Sequence, residues 1–272
     1  MKKRIRSIEQ VNVTSPEKQE SEDASIVHEH AGVFGVLDGA TPLSGFQNQD
    51  GHNGAYLAAQ LFKNHFQRLS VGAELVKEVT KANDKLRSEM LDHKINIDIG
   101  YERWSTCVAV VRISEQELEF AQLGDSMIMV GYVDGTSKLL TRDTVEGISE
   151  RAKLKRNKDR ELGRKVQAEE HFEDPLNQLR FNRSMANIAN GYSVANGMKN
   201  VEEYIQAGKL ALRDIQYVFI FSDGLFHPEL NLDETYRQVR DFGLMNYIQK
   251  VTEVQQDKSL RVDDRTAIWI TF

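Results

Sequence analysis

The sequence predicts an α+β protein, antiparallel strands with helices grouped between them, on three observations. Asp134-Gly135 separates an apolar run at 127–133 from a second at 138–140. Both central positions of that pair tolerate the positive φ of a tight hairpin, and strands joined so closely must be antiparallel. Further short β-type runs are spread from end to end, and helical periodicity is gathered in two consecutive segments instead of alternating with each strand.

Taken in order, residues 24–27 and 33–37 read as strands joined by a turn at 28–32. Leu57, Leu61, Phe62, Phe66 and Leu69 form one apolar helix face, and Leu75, Val79, Ala82, Leu86 and Met90 form the next. Strands follow at 106–113, 118–123, 127–133, 217–221 and 266–272, with a third helix expected across 235–251. The segment 142–200 lacks β-runs and reads as a helical insertion, or flap. Within it, 151–165 carries eight basic residues against two acidic ones. That run is either a solvated helix face or an electropositive surface that recruits an anionic substrate.

The chain has 272 residues, four prolines and no Gly/Ser-rich linker, so a single domain over 1–272 is expected. A net charge of -6 argues against a dedicated nucleic-acid partner. The lone cysteine, Cys107, allows neither an intrachain disulfide nor a four-cysteine zinc site. The basic start MKKRIRSIEQ has no apolar stretch behind it, and no window approaches the roughly 18 apolar residues of a membrane helix. The expectation is a cytoplasmic protein with no membrane partner; its oligomeric state is open.

Acidic residues recur at strand edges. Glu22 and Asp23 precede 24–27, Asp38 ends 33–37, Asp125 lies between 118–123 and 127–133, Asp223 follows 217–221, and Asp263 and Asp264 precede 266–272. In an antiparallel sheet one strand's end lies beside its neighbour's start. These carboxylates are therefore expected to gather along one sheet edge, where they would repel unless cations neutralise them. Each aspartate on its own could simply mark a turn. As a set without His or Cys they select hard cations such as Mg²⁺ or Mn²⁺.

Glu22-Asp23-Ala24, Val33-Phe34-Gly35-Val36-Leu37-Asp38-Gly39, Gly124-Asp125-Ser126, Phe219-Ile220-Phe221-Ser222-Asp223-Gly224-Leu225 and Asp263-Asp264-Arg265-Thr266 occur in the order of the motifs of type 2C metal-dependent serine/threonine phosphatases. The chain resembles that family over residues 22–266. The resemblance implies a four-layer αββα sandwich, two antiparallel sheets flanked by helices, with two Mn²⁺ or Mg²⁺ ions at one end and a phosphorylated protein as substrate. Carried over by position, Asp38 would bridge both ions, Glu22 and the Gly39 carbonyl would complete one, and Asp223 and Asp263 would hold the other. Asp23 would hold a metal-bound water, and Asp125 with Asp223 a possible third ion. Lys18 stands four residues before Glu22, where many members place an Arg on the substrate phosphate; it keeps the charge but lacks the fork. Asp264 replaces a usual Asn, supporting the ligands or exchanging roles with Asp263.

One departure affects the chemistry. The family reads Asp-Gly-His-Gly-Gly at its bridging aspartate, with the His as proposed general acid; here the run is Asp38-Gly39-Ala40-Thr41-Pro42. A second Asp-Gly-His, Asp50-Gly51-His52, follows polar residues, whereas Asp38 ends an apolar strand and is kept as the ligand. His52 is then either a solvated loop residue or the acid. The implied activity is phosphomonoester hydrolysis by water activated between two cations. The alternative is a catalytically weak module that binds a phosphoprotein or signalling partner. An aspartyl-nucleophile phosphatase of the haloacid-dehalogenase type would need a second Asp two positions after the first, where Ala40 stands.

Overall fold

The computed structural model describes residues 4–272. Among the described residues, ten strands form two five-stranded antiparallel sheets. The first contains β1 (Ser7–Val13), β6 (Met127–Tyr132), β7 (Ser137–Leu139), β9 (Ile215–Phe221) and β10 (Arg265–Thr271), in the order β1-β10-β9-β6-β7. The second contains β2 (Ala24–His28), β3 (Val33–Gly39), β4 (Thr106–Ile113), β5 (Glu117–Leu123) and β8 (Gln206–Ala211), in the order β2-β3-β4-β5-β8. Helices α1 (Gly54–Phe66) and α2 (Leu75–Asp92) cover the second sheet; α5 (Leu232–Phe242) and α6 (Leu244–Asp257) cover the first. Between β7 and β8 lie α3 (Ile148–Glu161) and α4 (Pro175–Ser184).

The layers follow from the two-residue period of the strands. On β3, Val33 and Leu37 pack with Phe62 and Phe66 of α1 and Val79 and Leu86 of α2. Phe34 and Val36 point the other way and meet Ile128, Val130, Val218, Ile220, Ile268 and Ile270 of the facing sheet. Phe219, Phe221 and Trp269 turn outward onto Tyr236, Tyr247 and Val251. The result is helix, sheet, sheet, helix. Phe62 and Phe66 are fully buried, each contributing about 1.5–3 kcal/mol from leaving water.

Several strand and helix bounds differ from those expected. β1 and β8 escaped the sequence reading because both are edge strands with little apolar alternation, SIEQVNV and QAGKLA. The helix expected across 235–251 is two helices, broken at Gly243, whose φ of 87° leaves the helical region. The turn at 28–32 is a single helical turn, Glu29–Ala31, closed by Gly32 at φ 66°. No described helix is long and apolar enough to cross a membrane.

Candidate metal centre

Asp38 and Asp223 do not share a sheet, so the expected gathering along one sheet edge is replaced by a meeting across two layers. Asp38 is in phase with Phe34 and Val36, the inter-sheet face of β3, and pairs in register with Cys107 on β4. Asp223 opens the turn after β9, and Asp263 precedes the neighbouring β10. Asp125 sits where the chain leaves β5 in one sheet for β6 in the other. Gly124 makes that crossing at φ 96°, where a Cβ would stand 2.3 Å from the Cys107 sulfur. These turns open into a cleft of about 330 Å³ whose lining includes Asp38, Gly39, Asp125, Asp223, Asp263 and Arg183.

Gly39 is fixed by crowding. A Cβ there would lie 2.5 Å from the Glu22 carbonyl oxygen and 2.8 Å from that of Ala55. Glu22 is buried, and both its carboxylate oxygens have partners: Oε1 accepts from Asn53 Nδ2 at 2.6 Å, and Oε2 from Thr41 Oγ1 at 2.8 Å. Asn53 also caps α1 by accepting from the Tyr56 backbone N–H, tying the start of that helix to Glu22.

The remaining carboxyl groups carry the mark of crowded negative charge. Burial, then the neighbouring Asp23, Asp223 and Asp125, pushes the Asp38 carboxyl well above the usual range. Asp223 lies near Asp38, and burial followed by the Asp263 charge raises its carboxyl as well. Burial followed by the Asp223 charge pushes Asp125 up to about 7. Burial, with Asp264 and Asp223 close by, raises Asp23 as well. Asp23 Oδ2 and Asp125 Oδ1 are buried without a hydrogen-bond partner. Orphaned carboxylate oxygens beside groups driven toward protonation fit hard cations, which would remove both penalties. Among the described residues no three His, Cys, Asp or Glu side chains are grouped closely enough to hold a metal ion as they stand. Cys107 borders the cleft, but burial and the adjacent Asp125 and Asp38 raise its thiol far above its usual range, leaving it a poor ligand.

Lys18 sits behind this cleft. Its ammonium contacts Glu22 Oε2 at 2.7 Å, Asp264 Oδ2 at 2.8 Å and Asp263 Oδ1 at 3.0 Å. Burial alone would lower its pKa, but these three carboxylates outweigh it and raise the value. They also occupy all three of its donors. Asp263 is held below the usual carboxylate range: burial opposes this, and the Lys18 ammonium and the Asp264 backbone N–H overcome it. Asp264 is buried, with Oδ1 accepting from Ser15 N and Oδ2 from Glu22 N, each at 2.8 Å. Like Glu22 and Asp23, it lies outside the residues that line the cleft. Its oxygens fix the backbone that presents Glu22.

His52 also lies outside the cleft lining. Its Nδ1 is 2.8 Å from Glu20 Oε2, and its ring stacks on Tyr56 at 4.1 Å. Ala40 lines the cleft itself, and no histidine does. Sequence reasoning missed Arg183, in the last turn of α4, whose guanidinium donates to Ser105 Oγ at 3.2 Å and the Thr41 carbonyl at 3.1 Å. No motif surrounds it, so only the folded chain brings it to the carboxylates. A groove of about 740 Å³ between α1 and α2 is larger than the cleft, but contains none of the clustered aspartates. Converging chemistry, not volume, identifies the site.

The protein phosphatase 2C family model matches residues 16–262. The fold is similar to that of the serine/threonine phosphatase Stp1 from Staphylococcus aureus, at 16% identity and a TM-score of 0.63, covering 100% of this chain and 96% of that one. It is similar also to the serine/threonine phosphatase PstP/Ppp of Mycobacterium tuberculosis, at 15% identity and a TM-score of 0.61, covering 98% and 99%. A structure of the PstP catalytic domain in complex with two manganese ions matches at 14% identity and a TM-score of 0.57, covering 98% of each chain. No curated protein sequence matches the chain. With its motif-bearing turns meeting at one cleft between two sheets, the chain belongs to the protein phosphatase 2C family.

Proposed function

We propose that the protein is a metal-dependent phosphomonoester hydrolase acting on phosphoserine or phosphothreonine in proteins. The observation that carries this reading is the meeting of Asp38, Asp125, Asp223 and Asp263 around one cleft, with Asp125 Oδ1 and the nearby Asp23 Oδ2 buried without a partner. Asp38, Glu22 and the Gly39 carbonyl would hold one Mn²⁺ or Mg²⁺, and Asp38, Asp223 and Asp263 the other. Asp23 would orient a water, and Asp125 with Asp223 would take a third ion. Bound ions would supply water acidic enough to attack phosphorus at neutral pH and would offset charge on the phosphoryl oxygens.

Two roles change from those the resemblance implied. Lys18, with its donors occupied, positions Glu22, Asp263 and Asp264. Arg183 is the residue assigned to the substrate phosphate, because it lines the cleft and its guanidinium keeps N–H groups beyond those given to Ser105 and the Thr41 carbonyl. With His52 paired to Glu20, the leaving oxygen lacks a histidine donor among the cleft residues. Aryl phosphates, whose leaving groups need little protonation, should therefore react faster than phosphothreonine. A cytoplasmic site of action is part of the same proposal.

The test is hydrolysis of p-nitrophenyl phosphate and a phosphothreonine peptide with Mn²⁺, Mg²⁺ or EDTA, for the wild type and Asp223→Ala. Metal-dependent turnover, abolished in the variant, is expected. Ala40 favours one second reading, a binding module of low activity. Folded protein that binds Mn²⁺ by calorimetry yet hydrolyses neither compound would establish that reading instead. No Mn²⁺ binding at all would refute both.

A further inference from the structure

The basic run 151–165 is largely neutralised within its own segment. Arg156 lies over the Phe172 ring at 4.2 Å and pairs with Glu169, which Arg160 also contacts at 2.8 Å. What remains borders a groove of about 650 Å³ that shares no residue with the aspartate cleft. Leu154 and Lys158 of α3 and Leu162 at its C-cap follow one another at four-residue spacing, so they form a single stripe. Leu154 and Leu162 are 68% and 59% exposed and join none of the hydrophobic clusters. Met185 and Ile188 lie deeper in the groove. Its one lining carboxylate, Asp159, is held by Lys155 at 2.8 Å and Arg164 at 2.6 Å. Lys158 has no carboxylate partner among the described residues.

We propose that this groove docks an acidic segment of a partner protein that carries apolar anchor side chains. Charge complementarity sets the sign: the lining includes Arg151, Lys155, Lys158 and Arg164 against Asp159 alone, on a chain whose net charge is -6. The exposed leucines set the class of partner. A polyanion without apolar groups would leave them in water, whereas a peptide with Leu or Phe among its acids would cover them. The concave shape fits an inserted side chain.

The experiment is fluorescence anisotropy on the whole chain with a short labelled peptide in which Asp and Glu alternate with Leu or Phe. The readout is binding, so it is independent of metal and turnover. Saturable binding is expected, weakened about tenfold by Lys158→Glu and again by Leu154→Ser with Leu162→Ser. All three side chains are exposed, and an unchanged urea midpoint will confirm that each variant folds. Absence of saturable binding would overturn the proposal, as would binding that the variants leave unchanged. It would also fail if polyglutamate or single-stranded DNA bound as tightly and ignored the leucine changes, since the surface would then be a general polyanion site. Self-association in sedimentation that these variants abolish would give the groove to a second copy and equally refute it.

Discussion

Arg183 and Asp125 show how far single side chains at the cleft depend on their neighbours. Arg183 is held by Ser105 and the Thr41 carbonyl, and Thr41 in turn donates to Glu22. Replacing Arg183 by Ala should lower kcat/KM on a phosphothreonine peptide about tenfold or more, mostly through KM, with partial recovery in Arg183→Lys. A fall in kcat alone would place it elsewhere in the reaction. Asp125 provides a pH test. Its value rises from 3.8 to about 7 on folding, so between those values the folded chain binds more protons than the unfolded one. Stability from this group is therefore fully present below about 3.8 and is lost as pH rises toward about 7. In metal-free protein, the Tm of the wild type minus that of Asp125→Asn should fall over that window. A flat or rising difference would contradict the assignment. Added Mn²⁺ should remove the trend by stabilising the charged form.

At the scale of elements, the turns carry the specificity and the strands carry the turns. Gly39 closes β3 against the carbonyls of Glu22 and Ala55. Gly39→Ala should destabilise the fold by on the order of 2 kcal/mol in urea titration, and should weaken Mn²⁺ binding with it. The central strands were legible because buried residues on both faces leave continuous apolar runs, as in VFGVL before Asp38 and YVFIF before Asp223. Their flanking acids stood out against that background. β1 and β8 were not legible, because an edge strand can carry Glu, Gln, Lys and Gly without exposing a core. Nor was the break at Gly243, since apolar residues on both sides continue a helical pattern across it. At the site, Asp38, Asp223 and Asp263 could be read from strand boundaries. The capture of Lys18 by three carboxylates, the pairing of His52 with Glu20 and the arrival of Arg183 could not, because each depends on contacts between distant segments.

Across the whole molecule, three large clusters fill the spaces between layers, while α3 and α4 rest on a smaller one around Cys107, Met185 and Tyr192. Local opening follows such differences in buried apolar contact. Amides of α3 and α4 should exchange with deuterium well before those of β3, β4, β9 and β10; equal protection would show that the segment opens only with the sheets. Mn²⁺ should slow exchange at the ends of β3 and β9 more than in α6. The placing of Asp38 and Asp223 on one cleft has a mechanical meaning as well. One residue belongs to each plate of the sandwich, so a cation held between them would act as a rivet. The apolar faces between the plates resist separation but offer little directional resistance to sliding. A force that slides one plate over the other must part those two carboxylates, so the strength of this protein under shear should rise and fall with the supply of divalent ions.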